Sequence, residues 1–266
     1  MWLAGNSGPF RVHKLEVESP SASGLKILHI SDLHFAPGQT AKQQFLKELA
    51  DLKPDLVINT GDNLGHKDAI NPTLRALEPL LEFPGVFVNG SNDYRAPKPR
   101  NPIRYFTGPS KVQAGQALDT DRFMRELVGA GWRDINNKSA RLEIRGKSLG
   151  FMGLDDPHDH LDDLESLGQQ AVEIANADLR IGVAHAPYMR VIDAFLENHA
   201  SLMFAGHTHG GQICLPGQKA LVTNCDLPTE FASGLSAWSN DQQEAMLHVS
   251  NGLGSVSYTH LRAHET

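Results

Sequence analysis

The chain has 266 residues, 40% of them hydrophobic and 21% charged, which is ordinary globular composition and length enough for one large α/β domain with a substantial core. Its 31 acidic against 24 basic residues give a net charge of −7, which argues against a general nucleic-acid binder, because such proteins need a positive footprint. No run approaches the roughly 18–20 apolar residues of a membrane-spanning helix, and two cysteines, Cys214 and Cys225, make no disulfide framework.

Residues 1–10 lack a basic segment followed by an apolar one, so no signal peptide is expected. The abrupt start leaves an upstream anchor open, and the expected location is cytoplasmic or membrane-peripheral. Residues 12–17 alternate imperfectly and predict an edge strand. Residues 25–30 read as a buried strand closed by Ser31-Asp32. Phe45, Leu46, Leu49 and Leu52 fall at helical spacing within 40–52, and Pro54 ends that helix. Leu56-Val57-Ile58 is the next strand, closed by Thr60-Gly61-Asp62. Residues 67–82 predict a helix whose limits are blurred by Pro72 and Pro79. Val86-Phe87-Val88 is a third strand, closed by Gly90. This strand, polar motif, helix recurrence is a parallel α/β pattern, and ligands in such sheets bind beyond the carboxyl ends of the strands.

Residues 95–116 differ in character, with Arg95, Lys98, Arg100, Arg104 and Lys111, four prolines and no acidic residue. A long loop of this kind reads as a lid or binding loop as readily as a solvated excursion. Residues 120–130 predict an amphipathic helix with Phe123, Met124, Leu127 and Val128 on one face. Alternating runs at 140–144 and 149–154 suggest antiparallel strands of a second sheet. Residues 179–184 and 202–205 are buried strands followed by histidines, and 246–250 is a late strand.

Five polar motifs thus follow apolar runs: Asp32-Leu33-His34, Gly61-Asp62-Asn63, Gly90-Ser91-Asn92-Asp93, His185, and Gly206-His207-Thr208-His209. Their imidazoles, carboxylates and carboxamide suit two adjacent divalent cations. Asp32 and His34, two apart, would share one face of an extended strand end. The glycine before Asp62 permits a sharp turn and a close approach to an ion. One carboxylate at Asp62 has oxygens enough to bridge two cations.

In series these motifs resemble the calcineurin-like metallophosphoesterase superfamily, whose pattern is D-x-H, G-D, G-N-H-[DE], H and G-H-x-H. The likeness runs from about residue 25 to about residue 252 and is closer to the bacterial single-domain phosphohydrolases. It implies a four-layer α/β/β/α sandwich, two mixed sheets flanked by helices, with a dinuclear metal site at the strand carboxyl ends. It also implies that Asp32, His34, Asp62 and His209 hold one metal, that Asp62, Asn92, His185 and His207 hold the other, and that Asp62 bridges them. The mixed N/O donor set suits Mn, Fe or Zn. The implied activity is metal-dependent hydrolysis of a phosphate ester, monoester or diester, by in-line attack of a metal-bridging hydroxide.

The third motif departs from the pattern. A gapless match puts Ser91 at the ligand asparagine and Asn92 at the histidine; a shift of one keeps Asn92 as ligand and loses the histidine. Donor chemistry favours Asn92, whose carbonyl oxygen is a better ligand than a protonated hydroxyl. The family histidine is missing in both alignments, and His158 in Leu154-Asp155-Asp156-Pro157-His158 is the candidate substitute acid, against a solvated-loop reading. Asp62, Asn92 and His158 are accordingly the expected catalytic residues. Arg95, Lys98, Arg100 and Arg104 are the expected substrate-binding residues, for a second phosphate, a lipid headgroup or a nucleotide; peripheral membrane association is compatible with this. The alternative is a catalytically weak or inactive scaffold of the same fold. Residues 256–266 resemble a reading frame through a sequencing adapter, so one domain is expected over 1–255, shortened at its C-terminus, and His260 and His264 are not counted as ligands.

Overall fold

The structure is a computed structural model that describes residues 10–19, 21, 23–97, 115–211, 213–215 and 219–254, with backbone only at 213–215 and 219–221. The predicted loop residues Lys98, Arg100 and Arg104, and the tail at 256–266, lie outside the described residues.

Two sheets lie face to face. The first pairs β1 (Ile27–Ile30), β2 (Leu56–Asn59), β3 (Gly85–Phe87) and β4 (Arg133–Asp134) in that order, all in parallel. The second is mixed: β5 (Ser139–Ile144), β6 (Lys147–Gly153), β7 (Leu179–Val183), β8 (Leu202–Ala205), β11 (Gly234–Ser239) and β12 (Glu244–Val249) stand in the order β11-β12-β8-β7-β6-β5. Its two outer pairs are antiparallel and its inner pairs parallel. A separate antiparallel pair, β9 (Ile213–Leu215) and β10 (Lys219–Val222), follows β8.

Alternation of side chains explains the layering. Leu56, Ile58, Val86 and Val88 face Phe151, Ile181, Val183 and Phe204 between the sheets. Their neighbours Val57 and Phe87 face the other way, onto α1 (Thr40–Glu48), α2 (Ile70–Leu77) and, beyond the short α3 (Ser91–Tyr94) that follows β3, α4 (Thr120–Gly129), through Leu46, Leu77, Phe123 and Leu127. On the far side, Met152, Met203 and Leu247 meet Leu167 of α5 (Ser166–Glu173) and Val191, Ile192 and Phe195 of α6 (Met189–Glu197). Strands buried on both faces need this continuous apolar run, and the result is the expected α/β/β/α sandwich.

Pro72 lies in the first turn of α2, where no intrahelical donor is lost, and Pro79 lies in the 3₁₀ turn Glu78–Leu80 that closes it. Two expectations fail. Residues 10–19 form no strand, and Val12, Leu15 and Val17 are exposed; alternation without a neighbouring backbone to pair with leaves a strand unformed. Val128 is 48% exposed, because at 100° per residue it falls off the stripe of Thr120, Phe123 and Leu127 that α4 buries.

Candidate metal centre

Every motif sits just past the carboxyl end of a strand: Asp32 after β1, Asp62 after β2, Asn92 after β3, His158 after β6, His185 after β7, and His207 and His209 after β8. Asp32, His34, Asp62, His207 and His209 all have φ between 38° and 68°. The expected extended geometry at Asp32 and His34 is therefore wrong. Both are left-handed, and it is this sharply folded backbone that turns the two side chains toward one point. Such conformations cost of order 1–3 kcal/mol each and persist where the surroundings over-determine them.

The surroundings here are other loops. Asp32, His34 and Phe35 donate their backbone N–H groups to the carbonyls of Gly61, Asp62 and Asn63 at 2.8–2.9 Å. Gly61, with φ 89°, lies so close to the backbone of Asn89 and Gly90 that a Cβ there would collide with both. The Asp93 carboxylate accepts from Gly90 N at 3.0 Å and Asn63 N at 2.8 Å, fastening the third motif to the second. At the C-terminal end, Gly254 N donates to the Asp32 carbonyl at 2.7 Å.

The side chains converge as two half-sites. His34 Nε2 is 3.2 Å from His209 Nε2, and Asp32 Oδ1 is 3.3 Å from His209 Nε2 and 3.8 Å from His34 Nε2. In the other half, His185 Nε2 is 3.3 Å from His207 Nδ1, and Asn92 Nδ2 is 2.6 Å from Asp62 Oδ2. Asp62 Oδ2 lies 3.5 Å from His34 Nε2 and 3.5 Å from His185 Nε2, between the halves.

The imidazoles are held from behind. His185 Nδ1 donates to the Thr60 carbonyl at 2.8 Å, which turns Nε2 toward Asp62. His207 Nε2 lies 3.3 Å from both the carbonyl and the side-chain amide of Asn224, leaving Nδ1 directed at His185. Supported imidazoles of this kind are what metal ligands require.

The donor set fits divalent cations on the structure's own terms. Ligand bonds of about 2.0–2.2 Å give ligand-to-ligand edges of roughly 3.0–3.6 Å, and the imidazole nitrogens and carboxylate oxygens given above lie 3.2–3.8 Å apart, while Asn92 instead donates a hydrogen bond to Asp62. Asp32 Oδ1 is buried with no hydrogen-bond partner. Asp32, His34 and His209 form one cluster of potential ligand atoms, and Asp32, Asp62 and His185 a second. Burial pushes the Asp32 carboxyl up. Burial also pushes Asp62 up, but His185, His34 and the Asn92 N–H outweigh it and hold Asp62 well below the usual carboxylate range. Burial drives His34 down to about 4 and His207 well below the ordinary imidazole range. His185 faces the same burial, and the charges of Asp62 and Asp32 raise it nonetheless.

His158 is buried against this centre, its ring 4.6 Å from that of His207 and its Nδ1 2.9 Å from the Tyr188 hydroxyl. The buried Asp156 carboxylate accepts from His158 N at 3.0 Å and Asp159 N at 3.2 Å, holding the turn, and burial raises its pKa to about 8. Arg95 is exposed, in an isolated bridge to Ala117. The supporting roles of Thr60, Asp93, Asp156, Tyr188 and Asn224 were not foreseen: Asp93 and Asp156 brace their own loops, Thr60, Tyr188 and Asn224 reach His185, His158 and His207 from elsewhere in the chain, and only Thr60, Asp93 and Asp156, inside motifs already singled out, left any signal.

The sequence profile of calcineurin-like phosphoesterases matches residues 25–211. The chain belongs to the calcineurin-like phosphoesterase family. Among relatives of this family, an uncharacterized metallophosphoesterase of Bacillus subtilis, YkoQ, is 24% identical over 225 residues, covering 82% of this chain and 74% of that protein. A bovine transmembrane protein with metallophosphoesterase domain is 24% identical over 218 residues, covering 76% of this chain and 43% of its own length. Two solved structures share the fold at 12% identity: the Haemophilus influenzae NAD nucleotidase NadN, with a TM-score of 0.53 over 86% of this chain and 51% of that one, and the purple acid phosphatase PPD1 of yellow lupin, 0.51 over 91% and 46%. Among the described residues no helix is long and apolar enough to cross a membrane.

Proposed function

We propose that this phosphoesterase hydrolyses phosphate esters using two divalent cations. Asp32, His34, Asp62 and His209 would hold one, and Asp62, Asn92, His185 and His207 the other. The observation that carries the reading is the place of Asp62 Oδ2, 3.5 Å from an imidazole nitrogen of each half. Mn, Fe or Zn bound there supplies Lewis-acid polarisation of the phosphoryl oxygens and a water acidic enough to act as nucleophile near neutral pH.

The chain's own contributions are positional. Thr60 and Asn224 aim His185 and His207, and Asp93 ties the Asn92 loop to the Asp62 loop. His158, held by Tyr188, is assigned the proton that the leaving oxygen takes up. It replaces the histidine missing from the third motif, and its place against His207 supports this over a solvated loop. Arg95 with Lys98, Arg100 and Arg104 is assigned to a second anionic group of the substrate, of the lipid-headgroup or nucleotide class. An unchanged KM after neutralising these four together counts against that assignment.

The test is hydrolysis of p-nitrophenyl phosphate mono- and diesters by the chelator-stripped protein with Mn²⁺ restored. Activity that returns with Mn²⁺ in the wild type and not in Asp62→Asn supports the reading. A chain that binds Mn²⁺ and turns over neither ester would instead be the inactive scaffold.

A further inference from the structure

We propose that Lys42 is a positioning residue for the Asp32, His34 and His209 half of the centre, acting through the backbone carbonyl of Leu33. This rests on the two-cation reading above.

Lys42 projects from α1 with none of its surface exposed, and its Nζ donates to the Leu33 carbonyl at 2.8 Å. Leu33 is the residue between the two left-handed ligands, Asp32 at φ 50° and His34 at φ 38°. The neighbouring backbone is fixed at Asp32 N by Gly61 O at 2.8 Å and at Asp32 O by Gly254 N at 2.7 Å, and the Leu33–His34 peptide is held at its N–H end by Asp62 O at 2.9 Å. Its other end, the Leu33 carbonyl, lies against Gly254, and a buried carbonyl must be satisfied. Lys42 satisfies it with an N–H of its amine, and so holds the second end of the peptide in the middle of a turn whose two ends carry ligands. Releasing that end would let the Asp32-Leu33-His34 backbone relax toward ordinary φ values and separate the two side chains.

The charge of Lys42 makes the idea sharply testable. Burial lowers the Lys42 amine to about 7, and the ammonium that persists beside a cation site opposes cation binding. If Lys42 acted by charge alone, removing it would tighten metal uptake. If it acts by position, removal weakens uptake, and only at the half it supports.

The experiment uses the full chain, stripped with chelator and titrated with Mn²⁺ alone. Calorimetry reads affinities, and electron paramagnetic resonance distinguishes a spin-coupled pair from a single ion. The wild type is expected to take up two ions. Lys42→Met keeps the apolar stem and removes the donor. It is expected to keep one ion at wild-type affinity and bind the second about 10–100-fold more weakly, the usual cost of losing support behind a metal ligand. Its unfolding temperature in chelator should be no lower than that of the wild type. Unchanged or tighter uptake of both ions by Lys42→Met overturns the proposal. So does equal loss of both ions with a lowered unfolding temperature. A wild type that takes up no Mn²⁺ overturns the two-cation reading itself, and the role of Lys42 with it.

Discussion

Asn92 grips both oxygens of Asp62, its backbone N–H donating to Oδ1 at 2.8 Å and its side-chain amide to Oδ2 at 2.6 Å. Ser91, the alternative ligand in the altered third motif, instead gives its carbonyl to the Arg95 N–H at 3.1 Å. A half-turn of the Asn92 amide would present Oδ1 in place of Nδ2. Asn92→Ala is therefore expected to lower Mn²⁺ affinity and phosphoester turnover about 10–100-fold, and Ser91→Ala to change neither by more than about threefold. Equal losses in both variants would favour the gapless alignment.

Asp62 and His209 serve different numbers of half-sites. Asp62→Asn weakens the oxygen shared between them and should abolish uptake of both ions, with activity down about 10³-fold or more. His209→Ala should remove one ion and leave the half at His185 and His207 occupied. Metal content by elemental analysis, read beside the rate, separates the two; identical stoichiometries would argue against Asp62 as the bridge.

The contact of His158 with His207 and Tyr188 predicts dependence on the leaving group. His158→Ala should slow hydrolysis of a phenyl or alkyl ester by about 10²–10⁴-fold, the range of general acid catalysis. It should slow a p-nitrophenyl ester, whose leaving oxygen needs no proton, only a few-fold. A uniform effect on both esters sinks the assignment.

Gly90 has no room for a side chain. A Cβ there would strike Asp62 Oδ1 and come within 2.8 Å of the His185 ring. Gly90→Ala should cost both ions and most activity. Gly129, at the end of α4, meets nothing within 4 Å, and Gly129→Ala should raise stability by about 0.5–1 kcal/mol with activity unchanged. Urea unfolding beside the ester assay checks both.

Between the two sheets, His29 and His248 lie 2.8 Å apart, Nδ1 to Nδ1, with His29 Nε2 2.9 Å from the Thr60 hydroxyl. Burial and then the neighbouring His248 hold His29 well below its ordinary value, and burial lowers His248 to about 4. Both therefore stay neutral in the fold while the unfolded chain takes up protons below about pH 6.5. Their contribution is fully present above that pH and is lost as pH falls toward about 4, by roughly 1.4 kcal/mol per pH unit for each imidazole. Asp93, raised by burial to about 7, and Asp156, raised to about 8, work in the opposite direction. The measurement is thus a difference: His248→Gln should lose less stability than the wild type between pH 7 and pH 5. Equal losses would falsify this.

The sequence by itself determined the strand and motif order, because the continuous apolar runs Leu56-Val57-Ile58 and Val86-Phe87-Val88 record burial on two faces, and because Asp, His and Asn recur in the same place after one apolar run after another. It could not determine the conformation at Asp32 and His34, which local pattern assigns to extended backbone and which the contacts with residues 61–63 and Gly254 fold into the left-handed region. Nor could it show residues 10–19 unpaired, since a strand exists only where another backbone meets it. Only the tertiary structure brought Lys42 to the Leu33 carbonyl, Tyr188 to His158, and Thr60 and Asn224 to His185 and His207. Their roles are single hydrogen bonds across 9 to 125 residues of chain, and such contacts leave no periodicity in a sequence. The order of the motifs was local chemistry; their convergence on Asp62 is a product of sheet packing.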